Sequence, residues 1–188
     1  MFGWLRHLLQ QLNCLLCKRL GTVQRGQITD GIYGWTYRYR QRGCTVSVRI
    51  CLVADEGVTI TQEMRTRWRK GIENKWNNRF RCCTADGRRC CTVHFCITWA
   101  MANCDQTVRI HRGFGHENML HWYETTDSET AAHEFGHLIG NRDEYVDAGA
   151  GPGRMIDNGS VMGNVRGATR DRHYTRICDI FGRVVQPV

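Results

Sequence analysis

The chain has 188 residues, of which 41% are hydrophobic and 23% are charged. This length suits one domain with its own core, and this composition excludes an intrinsically disordered chain. The net charge of +8 would suit an anionic partner, but no basic run exceeds four residues. With no nucleic-acid motif in the chain, we expect no specific nucleic-acid partner.

Eleven cysteines are present, and because this number is odd, at least one thiol is free or pairs with another chain. Such a density is typical of an oxidising compartment and favours disulfides. Buried free thiols are one alternative. The other is a structural metal site built from Cys82, Cys83, Cys90 and Cys91, although these adjacent pairs lack the spacing of zinc knuckles.

The N-terminal stretch places tryptophan and leucine residues at helical spacing, which predicts an amphipathic helix over residues 4–20. This helix is a membrane-surface anchor, a plug over the cleft, or a helix packed on the domain, which is the interpretation we favour. The polar, glycine-rich stretch Gly21–Gly34 is typical of a linker. We therefore divide the chain into residues 1–30, a helix and linker, and residues 31–188, the main domain. No stretch approaches 18 apolar residues, so we expect no transmembrane segment.

The next elements alternate between strands and one long helix. Alternating residues from Trp35 to Arg42 and the Val- and Ile-rich stretch Cys44–Ala54 predict two strands. The following residues, 61–80, predict a helix whose apolar face packs in the core. That face consists of Met64, Trp68, Ile72, Trp76 and Phe80.

Three further strands are predicted over residues 90–101, 108–111 and 118–124. A helix should then run over residues 127–139, with Thr126 as N-cap, Glu129 completing a capping box, and Gly140 at its end. A glycine-rich loop over residues 149–163 precedes a final helix over residues 171–180. Together these elements predict an α+β domain.

The helix over residues 127–139 contains the sequence H-E-x-x-H. His133 and His137 lie four residues apart, so both imidazoles project from one helical face and can bind one metal ion. Glu134 lies beside them as a candidate general base for a metal-activated water. The apolar residues between the histidines indicate a buried helix, in which unpaired imidazoles would be costly. This pattern predicts a zinc site.

A catalytic zinc takes a third protein ligand, and Gly140 allows the chain to turn back towards the metal. Asp143 is the candidate by spacing, with Glu144 and then His173 as alternatives. Tyr145 is either a hydrogen-bond donor to the developing oxyanion or a packed aromatic side chain.

The stretch H-E-F-G-H-L-I-G-N-R-D, residues 133–143, resembles the metzincin consensus, with Asp143 in place of the commoner histidine. The ending Asp143-Glu144-Tyr145 is similar to that of several bacterial zinc peptidases and toxin-type peptidase domains. Residues 160–163, with Met162, resemble a Met-turn, the methionine floor below the metal in that family.

The resemblance implies a zincin-like α+β fold. Such a fold has a mixed twisted sheet, a long backing helix, an active-site helix, a Met-turn and a C-terminal helix. It also implies that substrate binds as an extended strand beside an edge strand, for which residues 108–111 and 119–123 are the candidates.

We therefore predict a zinc-dependent endopeptidase that acts on protein or peptide substrates, binds Zn²⁺ through His133, His137 and Asp143, and uses Glu134 and Tyr145 in catalysis. We expect a monomer that is secreted or exported, although no cleavable signal is evident. The alternatives are a catalytically idle zincin domain that serves as a binding module, and a basic nucleic-acid-binding protein with a structural zinc.

Overall fold

The computed structural model describes residues 2–188, without the side chains of residues 2, 3, 6 and 7. Within this range the chain forms an α+β structure with four α-helices and nine strands. The helices are α1 Phe2–Leu20, α2 Gln62–Trp76, α3 Ser128–Leu138 and α4 Thr175–Asp179, and a 3-10 turn, Asp171–Tyr174, precedes α4. The strands are β1 Thr22–Asp30, β2 Tyr33–Arg42, β3 Thr45–Ala54, β4 Phe80–Cys83, β5 Cys90–Thr92, β6 His94–Ala100, β7 Gln106–His111, β8 His121–Tyr123 and β9 Val184–Pro187.

The main sheet is mixed and contains six strands in the described range. β1 and β2 form an antiparallel hairpin, whereas β3 pairs in parallel with β6 and β7, and β7 with β8. Residues 45–47 of β3 pair with both β2 and β6, and residues 50–51 pair with both β6 and β7. β6 therefore occupies one edge of β3. The other edge is shared: β2 pairs with its first residues, and β7 pairs with its last residues.

The core lies between this sheet and helices α2 and α3. The predicted apolar stripe of α2 is confirmed for Met64, Trp68, Ile72 and Trp76, all of which are buried. Two of these indoles also hold neighbouring backbone: Trp68 Nε1 donates to the Thr126 carbonyl at 2.9 Å, and Trp76 Nε1 donates to a carbonyl within α3 at 2.8 Å.

A second, three-stranded antiparallel sheet joins β5, β4 and β9. It corrects two predictions. The helix over residues 61–80 ends at Trp76, and Phe80 begins β4. The strand over residues 90–101 is divided at Val93 between the two sheets, because β5 turns back along β4 while β6 continues along β3. The final helix is confirmed over residues 171–179, as a 3-10 turn followed by α4, whereas β9 was not predicted.

Ten of the eleven cysteines form disulfides, and the remaining one, Cys17, is buried and free. The pairs are Cys14–Cys96, Cys44–Cys91, Cys51–Cys104, Cys82–Cys178 and Cys83–Cys90. The preference for disulfides is confirmed, as is the free thiol. A metal site built from Cys82, Cys83, Cys90 and Cys91 is wrong, because all four sulfurs are bonded to other sulfurs.

The stretch Gly21–Gly34 is not a linker. It forms β1 and the turn into β2, with Asp30 paired to Tyr33 across a two-residue loop. Gly31 takes a φ of 65°, which suits the first central position of such a turn. The N-terminal segment is therefore continuous with the main sheet.

Candidate metal and active site

Three side chains from α3 and the segment after it converge on one point. His133 and His137 lie one helical turn apart on α3 and are both buried. Asp143 Oδ1 lies 3.3 Å from His133 Nε2 and 3.2 Å from His137 Nε2. One ligand atom from each residue lies within 4.8 Å of the others, as a shared metal ion requires. The structure thus brings together the three residues predicted as ligands.

The helix that carries the histidines begins one residue later than predicted. Asp127, not Thr126, is the N-cap, and its carboxylate accepts a hydrogen bond from Thr130 N at 2.7 Å. The Thr126 hydroxyl instead accepts from Tyr123 N and donates to Glu117. The predicted stop at Gly140 is confirmed, since α3 ends at Leu138 and Gly140 has a φ of 95°.

Both imidazoles are oriented by backbone carbonyls. His133 Nδ1 lies 2.8 Å from the Val161 carbonyl, and His137 Nδ1 lies 2.9 Å from the Asn141 carbonyl. Because a carbonyl can only accept a hydrogen bond, each Nδ1 carries the proton. In a neutral ring each Nε2 then presents a lone pair towards Asp143 Oδ1.

This arrangement leaves three acceptor atoms facing one another. Asp143 Oδ1 has no hydrogen-bond partner of adequate geometry within residues 2–188. Burial opposes protonation of His133, but the carboxylates of Asp143 and Glu134 outweigh it and raise the pKa of His133. Burial would raise the pKa of Asp143, but positively charged imidazoles at these distances would hold that pKa well below its usual range. The cluster therefore needs a positive charge, and two nitrogens with one carboxylate oxygen suit a zinc ion.

Glu134 lies beside this cluster and is almost fully buried. Its Oε2 has no hydrogen-bond partner among the described residues. Burial raises the pKa of Glu134, although the neighbouring histidines oppose this shift. A buried carboxylate with an unpartnered oxygen is costly, and such groups are concentrated at functional sites.

Glu144, the second candidate for the third ligand, points away from the cluster. Its carboxylate accepts hydrogen bonds from Arg172 Nε and Nη2, each at 2.6 Å, and from the Ser160 hydroxyl. His173 is the remaining candidate ligand, and its Nε2 lies 3.1 Å from the same carboxylate. Burial would raise the pKa of Glu144, but Arg172 and His173 lower it to about 2. Glu144 and His173 therefore form a separate ion-pair network.

This network holds the turn that contains Met162. Glu144 N donates to the Met162 carbonyl at 2.8 Å, and the Ser160 hydroxyl accepts from Met162 N at 3.0 Å. The Met162 side chain is fully buried against Gly136 of α3, where a Cβ would overlap its sulfur. The same turn supplies the Val161 carbonyl that orients His133, so the turn helps to fix the position of this imidazole in the cluster.

Tyr145 lies at the wall of the same cleft. Its ring is stacked on His133 with a centroid distance of 6.5 Å, and the Arg154 guanidinium lies 5.8 Å from its centre. Burial and the nearby Asp143 carboxylate raise the pKa of Tyr145, which keeps the phenol protonated. The side chain is thus both packed and available as a hydrogen-bond donor.

The cleft has a volume of about 310 Å³. His133, His137, Asp143 and Glu134 form its floor, and Tyr145 lines its side. One wall is the tip of the β1–β2 hairpin, and the other is the segment of residues 116–119 that leads to β8. β8 is the edge of the main sheet, whereas β7 lies between β3 and β8, so the prediction of residues 108–111 as an edge is wrong.

The hairpin wall is the part of the site that sequence reasoning missed. Trp35 Nε1 donates to the His137 carbonyl at 3.0 Å, and the two rings meet edge to face at 5.4 Å. The Tyr33 hydroxyl lies 3.1 Å from both carboxylate oxygens of Asp147. The local signal that could have indicated this hairpin was Gly31, because glycine is typical of the first central position of a two-residue hairpin turn.

A second group of metal-ligand type is formed by Cys14, His94 and Cys96. Its two sulfurs are bonded to each other, which leaves His94 alone as a ligand.

A scan against protein-family models finds no match, and neither the curated proteins nor the solved structures contain a significantly similar chain.

Proposed function

We propose that this chain is a zinc-dependent endopeptidase with a zincin-like fold, which hydrolyses peptide bonds in protein or peptide substrates. One observation carries the proposal. His133 Nε2, His137 Nε2 and Asp143 Oδ1 face one another inside a cleft, beside the unpartnered oxygen of Glu134. The resemblance of residues 133–145 and 160–163 to the metzincin pattern supports the same proposal.

The three ligands would hold Zn²⁺ through two imidazole nitrogens and one carboxylate oxygen. A zinc ion supplies Lewis acidity, which lowers the pKa of a water molecule and polarises the carbonyl of the substrate. The backbone carbonyls of Val161 and Asn141 orient both rings, so that both Nε2 atoms would be available to hold the ion.

Glu134 is the general base. Its Oε2 takes a proton from the attacking water and then delivers that proton to the leaving amine. Burial favours this role, because the raised pKa of Glu134 makes its carboxylate a better proton acceptor than an exposed one. An intact Glu134 also favours an enzyme over a catalytically idle binding module, which has no need of a base.

Tyr145 assists from the wall of the cleft. Its hydroxyl donates a hydrogen bond to the oxyanion that develops on the substrate carbonyl. The stacking on His133 and the Arg154 guanidinium fix the position of the ring. A donor held in advance stabilises the transition state without reorganisation.

The substrate lies in the cleft as an extended chain between the hairpin tip and residues 116–119. If the substrate backbone pairs with the edge strand β8, the cleft can accept many sequences, because backbone pairing does not depend on the substrate side chains. The five disulfides support a secreted or exported protein.

The test combines metal analysis with a protease assay on the wild type, Glu134→Ala and the control Glu63→Ala, which changes an exposed glutamate of α2. We expect about one zinc per chain in all three proteins, with cleavage by the wild type and the control and none by Glu134→Ala. Absence of zinc from the wild type would refute the proposal. Zinc without cleavage by the wild type would instead favour a binding module.

A further inference from the structure

The N-terminal helix α1 exposes its apolar face to solvent. Trp4, Leu8, Leu12 and Leu15 follow one another at spacings of three or four residues, with Leu5 and Leu9 beside them, so they share one face. All six side chains are exposed, Trp4 to 73% and Leu15 to 56%. The result is a continuous hydrophobic surface, which monomeric proteins rarely leave uncovered.

The opposite face attaches the helix to the domain. Cys14 is joined to Cys96 of β6 by a disulfide. Cys17, one turn further on, is fully buried, and its thiol donates to the Thr45 carbonyl at 3.2 Å. Gly21 ends the helix close to Cys17, where any Cβ would overlap the Cys17 carbonyl. The helix therefore cannot roll over to bury its leucines against the domain.

This orientation is the reverse of that expected for an amphipathic helix on a globular domain, where the hydrophobic effect turns the apolar face inward. We predicted a helix packed on the domain. The packing is present, but through the cysteine face rather than the leucine face. The covalent bond at Cys14 holds the apolar face outward, so this face requires an external partner.

The charge of the helix indicates which partner. Its sequence contains Arg6, Lys18 and Arg19 and no aspartate or glutamate, and the whole chain carries a net charge of +8. A broad leucine face with a tryptophan near one end and basic residues beside it is typical of helices that lie in the interface of an anionic bilayer. No helix within residues 2–188 is both long and apolar enough to cross a membrane.

We propose that α1 binds the surface of an anionic lipid bilayer, with its leucine face among the acyl chains and its axis in the plane of the membrane. α1 contacts the end of β2, at Arg40, whereas the cleft lies at its start, at Trp35. The strand rises about 3.3 Å per residue, so these points are roughly 17 Å apart. The leucine face of α1 contains none of the residues that line the cleft, so this proposal is independent of the proposed proteolytic function.

The test is co-sedimentation of the full chain with sucrose-loaded vesicles of phosphatidylcholine alone or with phosphatidylserine. The variant Leu8→Ser/Leu12→Ser removes two exposed leucines of the face. The control Met101→Ser/Val188→Ser removes two apolar side chains that are also exposed but lie outside α1. We expect the wild type and the control to bind phosphatidylserine vesicles. The leucine variant should bind about tenfold or more weakly, and vesicles without phosphatidylserine should bind all three poorly.

Three results would overturn the proposal. The wild type could fail to sediment with phosphatidylserine vesicles, the leucine variant could bind as well as the wild type, or binding could be equal with and without the anionic lipid. Dimerisation without vesicle binding, lost in the leucine variant and measured by analytical ultracentrifugation, would assign the face to a second copy of the chain. The Glu134→Ala protein should bind vesicles like the wild type, which separates this test from that of the peptidase.

Discussion

Helices α2 and α3 approach each other closely at Gly71, which has no side chain to separate them. A Cβ built on Gly71 would lie 2.7 Å from the carbonyl carbon and 2.8 Å from the Cα of Ser128, the first residue of α3. Carbon atoms in contact are normally about 3.5–4.0 Å apart. The atoms in the way are backbone, so a side-chain rotation cannot relieve the overlap. The substitution Gly71→Ala therefore has to push the two helices apart by nearly 1 Å.

Three contributions determine the effect of Gly71→Ala on stability. Alanine is a better helix former than glycine by about 1 kcal/mol, which alone would stabilise α2. Overpacking in a rigid core costs about 1–3 kcal/mol. Separation of the helices also weakens the indole hydrogen bonds from Trp68 and Trp76, each of which contributes about 1 kcal/mol. With about half of each hydrogen bond lost, the sum is a decrease of about 1–3 kcal/mol in the free energy of unfolding.

The measurement is urea unfolding of the oxidised protein, followed by tryptophan fluorescence and by circular dichroism. The two signals should coincide if unfolding is two-state. Lys70→Ala, at the exposed neighbouring position, is the control and should change the unfolding free energy by less than about 0.5 kcal/mol. If Gly71→Ala were as stable as the wild type or more so, the close approach of α2 and α3 would not exist as described.

Three further predictions concern the ligands, the hairpin and the cysteines. Asp143→Ala should lose zinc. Glu144→Ala should keep zinc but lower the stability of the protein, because the Glu144 carboxylate binds Arg172 and not the cluster. Metal analysis of both variants is the test, and the reverse result would assign the third ligand to Glu144. Trp35→Phe should lower the free energy of unfolding by about 1 kcal/mol, since the indole donor to α3 is lost, while the exposed Trp4→Phe should leave the urea midpoint unchanged. Denatured, unreduced protein should show a single reactive thiol, Cys17, by thiol titration; any higher count would contradict the disulfide set.

Helix α3 could be predicted from sequence because its main signals are local. The four-residue spacing of His133 and His137 fixes their common face, and Gly140 fixes the end of the helix. Its N-cap was predicted one residue too early, at Thr126, although Asp127 is an equally suitable capping residue. The Thr126 hydroxyl bonds to Tyr123 and Glu117, which precede the helix, and this leaves the capping position to Asp127.

Long-range pairing accounts for what the sequence did not predict. The β1 strand is mostly polar and exposed, so its residues lack the alternation that predicts a half-buried strand, and only the pairing with β2 defines it. Cysteine connectivity likewise cannot be deduced from spacing. Asp143 faces the histidines and Glu144 does not, because Glu144 binds Arg172, which lies nearly thirty positions further along the chain.

The disulfides also determine how the chain would respond to a cut. Among the five bonds, Cys82–Cys178 alone connects the sequence before residue 105 to the sequence after it. A single cleavage between residues 105 and 177, which includes the exposed stretch around Val146, would leave two fragments held by one covalent bond. Such a nicked protein would migrate as one species without reductant and as two with it. A cut between His137 and Asp143 would place the members of the His133, His137 and Asp143 cluster on two fragments that stay joined through Cys82–Cys178.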